Sequence, residues 1–214
     1  MLDYGNEFVL SFLHSFLPSP PFAVIHENMN HRSKRPPFII SAASIPERLH
    51  SYPNSEENTG HTRGIGAAAG LRKIGVNLVR LLPGERSLWP HAEEKEEEFV
   101  YVLEGKVDAW IDGIVHPMKP GDFAAFPSGT GIAHCFINNT RGKALLLIGG
   151  QASRPDNRIY YPLHPQRRND MPPSEWWHDV PQHQMGPHDG MSDALRRRTI
   201  SPKSRAPQKR KKRS

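Results

Sequence analysis

Two stretches of the chain, residues 84–105 (GERSLWPHAEEKEEEFVYVLEG) and 121–138 (GDFAAFPSGTGIAHCFIN), hold the residue types best suited to chemistry. Between them they supply His91, Glu93, Glu98 and His134, side chains that could meet around one divalent metal. Imidazole nitrogen and carboxylate oxygen together suit Zn, Mn, Fe or Ni. Two carboxylates would neutralise a dication, which favours a hard or borderline ion over Cu(I). His91 and Glu93 are two positions apart, so on a strand they share a face. Residues 93–98 carry five acids interrupted only by Lys95. Carboxylates this close repel one another unless a cation or water screens them. Glu94, Glu96 and Glu97 therefore read as a solvated turn, although Glu96 or Glu97 would replace Glu98 as ligand if the strand register differed. No set of acid, base and nucleophile selects a reaction, so no catalytic residue is assigned.

A barrel wall is the element that could bring these residues together. From Leu71 onward the strand signals are regular. Residues 75–82 (GVNLVRLL) alternate well enough for a half-buried strand, stopped by Pro83-Gly84. Residues 98–103 (EFVYVL) are rich in aromatic and branched side chains and end at Glu104-Gly105. Residues 106–111 pair back as a hairpin, Asp112-Gly113 makes the next turn, and residues 114–118 follow. A further turn at residues 119–122 leads to short strands over 122–126, 134–138 and 143–148. Such spacing predicts an all-β fold, an antiparallel barrel or jelly roll. Alternation puts Glu98, Val100 and Val102 on one face and Phe99 and Tyr101 on the other.

The two stretches resemble the paired motifs of the cupin superfamily. The first motif runs from Gly through His-x-His and Glu to a strand ending in Gly. Gly84, His91, Glu98 and Gly105 occupy those positions, with one extra residue before His91. Glu93 stands where the family has its second histidine. The second motif is matched by Gly121, Pro127, Gly129, His134 and Asn138, with a two-residue insertion before His134. The resemblance covers about residues 71–150 and implies a double-stranded β-helix (jelly-roll) cupin barrel. It also implies a divalent metal held by His91, Glu93, Glu98 and His134, a small-molecule ligand and a homodimer formed by exchanged strands or arms.

Around this barrel the composition changes. Residues 1–35 read as a flexible extension and 36–70 as an N-terminal arm, with an edge strand expected at 36–45 and a polar, Gly-rich loop after it. Residues 151–191 are dense in Pro, His and aromatics, which predicts an extended arm packed over the barrel. There Tyr160, Tyr161, Trp176 and Trp177 read as arm-to-barrel contacts, and His164, His178, His183 and His188 lack the spacing of a second metal site. Trp89 and Trp110 read as packing groups, Trp89 also as the wall of a ligand pocket. Residues 192–214 read as a disordered basic tail.

The net charge of +6 comes from that tail, which holds ten Lys or Arg and no acid after Asp193. Subtracting those ten leaves −4 for residues 1–193, which speaks against a basic groove for nucleic acid. The tail suits a nuclear-import signal or non-specific polyanion contact. A single cysteine, Cys135, suits a reducing, cytoplasmic setting and reads as a small buried residue facing away from the site. No apolar run is long enough to span a membrane. Residues 8–17 (FVLSFLHSFL) lack a preceding basic segment, so no signal peptide is read, and Met29 offers an alternative start. The function expected is a metal-binding cupin that binds, and as an enzyme transforms, a small organic molecule by dioxygenase- or isomerase-type chemistry. The alternatives are a non-catalytic metabolite sensor or a structural oligomer.

Overall fold

Alternation decides which way each strand faces. In the computed structural model, which describes residues 35–55 and 57–200, β5 (Glu98–Glu104) buries Glu98, Val100 and Val102 and turns Phe99 and Tyr101 outward. The same rule orients β3 (Ile74–Leu81), whose Val79 and Leu81 are fully buried, and β10 (Ala144–Gln151), which contributes Leu146 and Ile148. These side chains meet Val107, Phe126 and Phe136 in one apolar core inside the barrel. Each such side chain contributes about 1.5–3 kcal/mol of burial.

With β1 (Arg48–Ser51), β2 (Asn58–Arg63) and β8 (Phe123–Phe126), these strands form a six-stranded sheet of order β1-β2-β3-β10-β5-β8. It faces a three-stranded sheet built from β6 (Val107–Ile111), β7 (Ile114–Met118) and β9 (His134–Ile137), in the order β7-β6-β9. Among the described residues, each pairing between two of the strands is antiparallel. A two-stranded ribbon joins β4 (Ala92–Glu93) to β11 (Ile159–Tyr160). The jelly roll expected from the sequence is the fold observed.

The turns follow their residues. Asp112 and Gly113 both have positive φ (43° and 83°), the two-residue hairpin geometry that joins Ile111 to Ile114. Gly121 (φ 96°) follows Pro120 in a turn closed by Asp122 N–H donating to the Lys119 carbonyl at 3.0 Å.

Two flanks differ from expectation. Residues 36–45 form no strand but a turn and a short 3-10 helix, Ala42–Ser44; the edge of the sheet is instead β1 and β2, in the segment read as loop. The reason is Gly60, where a Cβ would stand 2.6 Å from Val79 and 2.7 Å from Leu81. Glycine here permits close approach of β2 to the core; it does not mark a loop. At the other end Asp193–Ile200 is a helix rather than disorder. Ser192 is its cap: Oγ accepts from Leu195 N–H at 3.1 Å and donates to the Gly84 carbonyl at 2.5 Å. The basic residues from 201 onward, and the extension before residue 35, lie outside the described residues.

The C-terminal arm covers the outer face of the three-stranded sheet. Trp177 and Val180 pack there with Trp110, Cys135 and Ile137. Cys135 is 1 % exposed and its thiol is pushed up to about 12 by burial, in keeping with a packing role on the face opposite His134. No helix among the described residues is long and apolar enough to cross a membrane.

Candidate metal centre

His91 and His134 come from distant parts of the chain and are joined as an antiparallel bridge. His91 N–H donates to the His134 carbonyl at 3.2 Å and His134 N–H returns the bond at 2.9 Å. Facing residues of such a pair project side by side, and the two rings lie 5.0 Å apart. Glu98, the first residue of β5, reaches the same point from the opposite sheet. Its Oε2 is 3.2 Å from His134 Nε2 and 3.5 Å from His91 Nε2, and one ligand atom from each residue lies within 4.8 Å of the others. All three residues are buried.

These separations fit a metal. Donors at about 2.0–2.1 Å from a tetrahedral ion stand roughly 3.3 Å from one another. The ring of His91 is also prepared: its Nδ1–H donates to the Trp89 carbonyl at 2.9 Å, which leaves Nε2 facing Glu98. Phe126 stacks on the His134 ring at 3.5 Å and 6°, fixing that ring's plane. The cavity enclosed by His91, Glu98, His134, Ser87, Leu88 and Phe136 is about 20 Å³, enough for an ion or a water and nothing larger.

Glu93 lies beside this group rather than within it. Its Oε1 is 3.9 Å from His91 Nε2, while its Oε2 accepts a short hydrogen bond from Asn157 Nδ2. Burial and the charge of Glu98 push its carboxyl up to about 8. Burial opposes ionisation of Glu98 too, but the hydrogen bonds from His134 and His91 outweigh it and hold that carboxyl well below the usual range. Burial opposes protonation of His91, yet the bond and charge of Glu98 raise it to about 9; at His134 burial prevails and lowers it. The two buried carboxyls are thus pushed in opposite directions, Glu98 down and Glu93 up.

The rest of the acidic run divides differently from the solvated turn expected of it. Glu97 is exposed, and Glu94 is paired with Arg158 at 2.6 and 2.8 Å. Glu96 is 1 % exposed and accepts from the Arg154 backbone N–H at 2.6 Å. Neither Glu96 nor Glu97 joins the metal-type group. His164, His178, His183 and His188 form no second such group among the described residues. Asn157 and the Trp89 carbonyl were not foreseen; Asn157 is 64 residues from Glu93, and no local signal connects them.

A groove of about 380 Å³ lies on the outer face of the six-stranded sheet, lined by the outward-facing Phe99, Phe123 and Ala125, and shares only Glu98 with the lining of the centre. Trp89 walls neither the cavity nor the groove. Its ring lies between Tyr52 (3.9 Å, 9°) and His164 (4.0 Å, 12°).

His164 gives this region a pH dependence. Burial and the neighbouring charge of Arg86 depress its imidazole to about 3. Between an unfolded value near 6.5 and the folded value, the unfolded chain takes up a proton that the folded chain excludes. The stability from neutral His164 is therefore complete above about pH 6.5 and declines as pH falls. Thermal melts between pH 7 and 4.5 should show a shallower acid-side slope for His164→Gln than for wild type. Parallel slopes would contradict the assignment.

The Cupin domain family model matches residues 77–149. Protein SchB from Streptomyces halstedii is 37% identical over 93 residues, 42% of this chain; the chain thus spans only 62% of the length of that curated relative. A solved sugar phosphate isomerase of the cupin superfamily from Silicibacter pomeroyi is 38% identical, over 57% of this chain and 80% of that one, with a TM-score of 0.54. A second, provisionally designated sugar phosphate isomerase from Acidithiobacillus ferrooxidans is 30% identical, over 59% and 81%, with the same TM-score of 0.54.

Proposed function

The chain belongs to the cupin superfamily, and from that membership we propose that it is a metal-dependent isomerase acting on a small hydroxy-carbonyl compound. The observation that carries this reading is the buried meeting of His91, Glu98 and His134 beside a second buried carboxyl, Glu93, whose Oε1 lies 3.9 Å from His91 Nε2. Similarity to two structures described as sugar phosphate isomerases supports isomerisation over oxygen chemistry.

In this reading His91, Glu98 and His134 hold a divalent ion, which when bound polarises the substrate carbonyl and stabilises negative charge developing on its oxygen. Glu93 carries the proton. Asn157 occupies Oε2, so the exchangeable proton belongs on Oε1, the oxygen facing His91. Without an ion, burial and the charge of Glu98 raise the Glu93 carboxyl to about 8; a dication at the centre would favour the carboxylate, the form that accepts a proton. Glu93 Oε1 takes the proton from the carbon beside the carbonyl and returns it to the former carbonyl carbon, while the hydroxyl proton moves to the former carbonyl oxygen. The balance needs no oxidant or reductant. Val100, Phe136 and Ile148 keep bulk water from the centre. Among the described residues the lining of the centre contains no Lys or Arg, so it favours the uncharged hydroxy-carbonyl part of a substrate.

The test is deuterium exchange. Purified protein supplied with Mn, Fe, Ni or Zn should incorporate deuterium from D₂O beside the carbonyl of an accepted aldose or ketose, read by NMR. Glu93→Gln should keep its metal and lose roughly 10²–10⁴-fold of that exchange. Loss of the metal instead would make Glu93 the fourth ligand, as the motif spacing predicts. Metal-loaded wild type that exchanges no substrate in an aldose and ketose panel would favour a binding protein over an isomerase.

A further inference from the structure

The barrel alone does not orient His91. Its Nδ1–H is held by the carbonyl of Trp89, and Trp89 is held by both arms. From the N-terminal arm, Tyr52 stacks on the indole and its hydroxyl accepts from Trp89 N–H at 3.3 Å. Glu57 of the same arm accepts from the indole Nε1–H at 3.0 Å. From the C-terminal arm, His164 closes the other ring face. Arg86 ties the two arms together, donating to both Glu57 oxygens (2.5 and 2.7 Å), to the Gly190 carbonyl at 2.8 Å and to His164 Nε2 at 3.3 Å. Trp89 is thus gripped on both ring faces, at its indole nitrogen and at its backbone nitrogen, and its remaining polar group is spent on His91.

We propose that Trp89 is a positioning residue through which docking of the two arms sets the orientation of His91 and so the affinity of the metal centre. The inference rests on the metal reading above, but its geometry exists without the ion. A carbonyl that fixes the far nitrogen of a ligating imidazole fixes both its tautomer and its direction. Because coupling is reciprocal, an ion bound at the centre must in turn tighten the arms. A second anchor on the same residue makes the proposal separable from simple packing: Tyr52→Phe deletes one hydroxyl and leaves both rings in place.

The experiment uses the full chain in three forms, wild type, Trp89→Phe and Tyr52→Phe, with circular dichroism to establish that each is folded. Zn²⁺ affinity is measured by chelator competition. Trp89→Phe, which keeps an aromatic ring but loses the bond to Glu57, should weaken Zn²⁺ about 10-fold or more, the range of an outer-shell change, and Tyr52→Phe should do so to a smaller degree. Hydrogen exchange should slow across residues 50–58 and 159–166 when Zn²⁺ is added to wild type. Without any metal, NMR should show a protected His91 Nδ1 proton in wild type that exchanges faster in both variants. Wild-type affinity in folded Trp89→Phe, or an equally protected His91 proton in both variants, would overturn the proposal. Should wild type take up no Zn²⁺, the metal reading falls, and the His91 proton still decides whether Trp89 positions the ring.

Discussion

Glu98→Gln is expected to abolish stoichiometric metal binding while leaving the barrel folded. The substitution keeps the side chain's shape and removes the anion that faces both His91 Nε2 and His134 Nε2. An outer-shell change costs about 10–100-fold in affinity, so removing the carboxylate that faces both imidazoles should exceed that range. Elemental analysis of purified wild type beside the variant reads the result directly. The apo protein should change less than the loss of a buried ion pair usually implies, about 3–5 kcal/mol. His91 can shed its proton instead of remaining an unpaired buried cation, so the variant's thermal midpoint should approach that of wild type as pH rises. Equal metal content in the two proteins would remove His91, Glu98 and His134 as a metal centre.

The second large effect concerns Arg86, which is 1 % exposed. Arg86→Met keeps much of the aliphatic volume but leaves Glu57 without its bidentate partner and the Gly190 carbonyl without a donor. Removing one member of a buried, hydrogen-bonded charge pair costs about 3–5 kcal/mol. For a chain of this size each kcal/mol moves the melting point by roughly 2–4 °C, so a fall of about 10 °C is expected in a thermal melt. The damage should concentrate where the arms meet. Limited proteolysis should cut residues 50–58 and 159–191 before the barrel strands. A variant that melts with wild type and resists cleavage equally would mean that the arms are held by apolar packing alone, through the contacts of Trp89, Ile159, Tyr161 and Trp176.

Arg86 also marks a limit of sequence reading. Nothing around it in GERSLWPH sets it apart from a surface arginine, because its partners Glu57, His164 and Gly190 lie up to 104 residues away. The same is true of Asn157 against Glu93. Side-chain pairing across such distances leaves no periodic trace.

What the sequence determined by itself was local and repetitive. Alternation along residues 98–103 assigned Val100 and Val102 to the interior and Phe99 and Tyr101 to the exterior, because a strand has no other way to place successive side chains. Asp112-Gly113 and Pro120-Gly121 located their turns, because few residues accept those backbone angles. The spacing of His91, Glu93, Glu98 and His134 marked four candidate ligands, of which His91, Glu98 and His134 meet at one point. Tertiary structure alone decided how the acids divide their roles. Two imidazoles facing Glu98 favour its carboxylate, shared burial beside that charge pushes the Glu93 carboxyl up, and Glu96 leaves the centre for a backbone N–H. Carboxylates that look alike in sequence differ here because charge in a buried site depends on its neighbours in space, and those neighbours are brought in by distant segments.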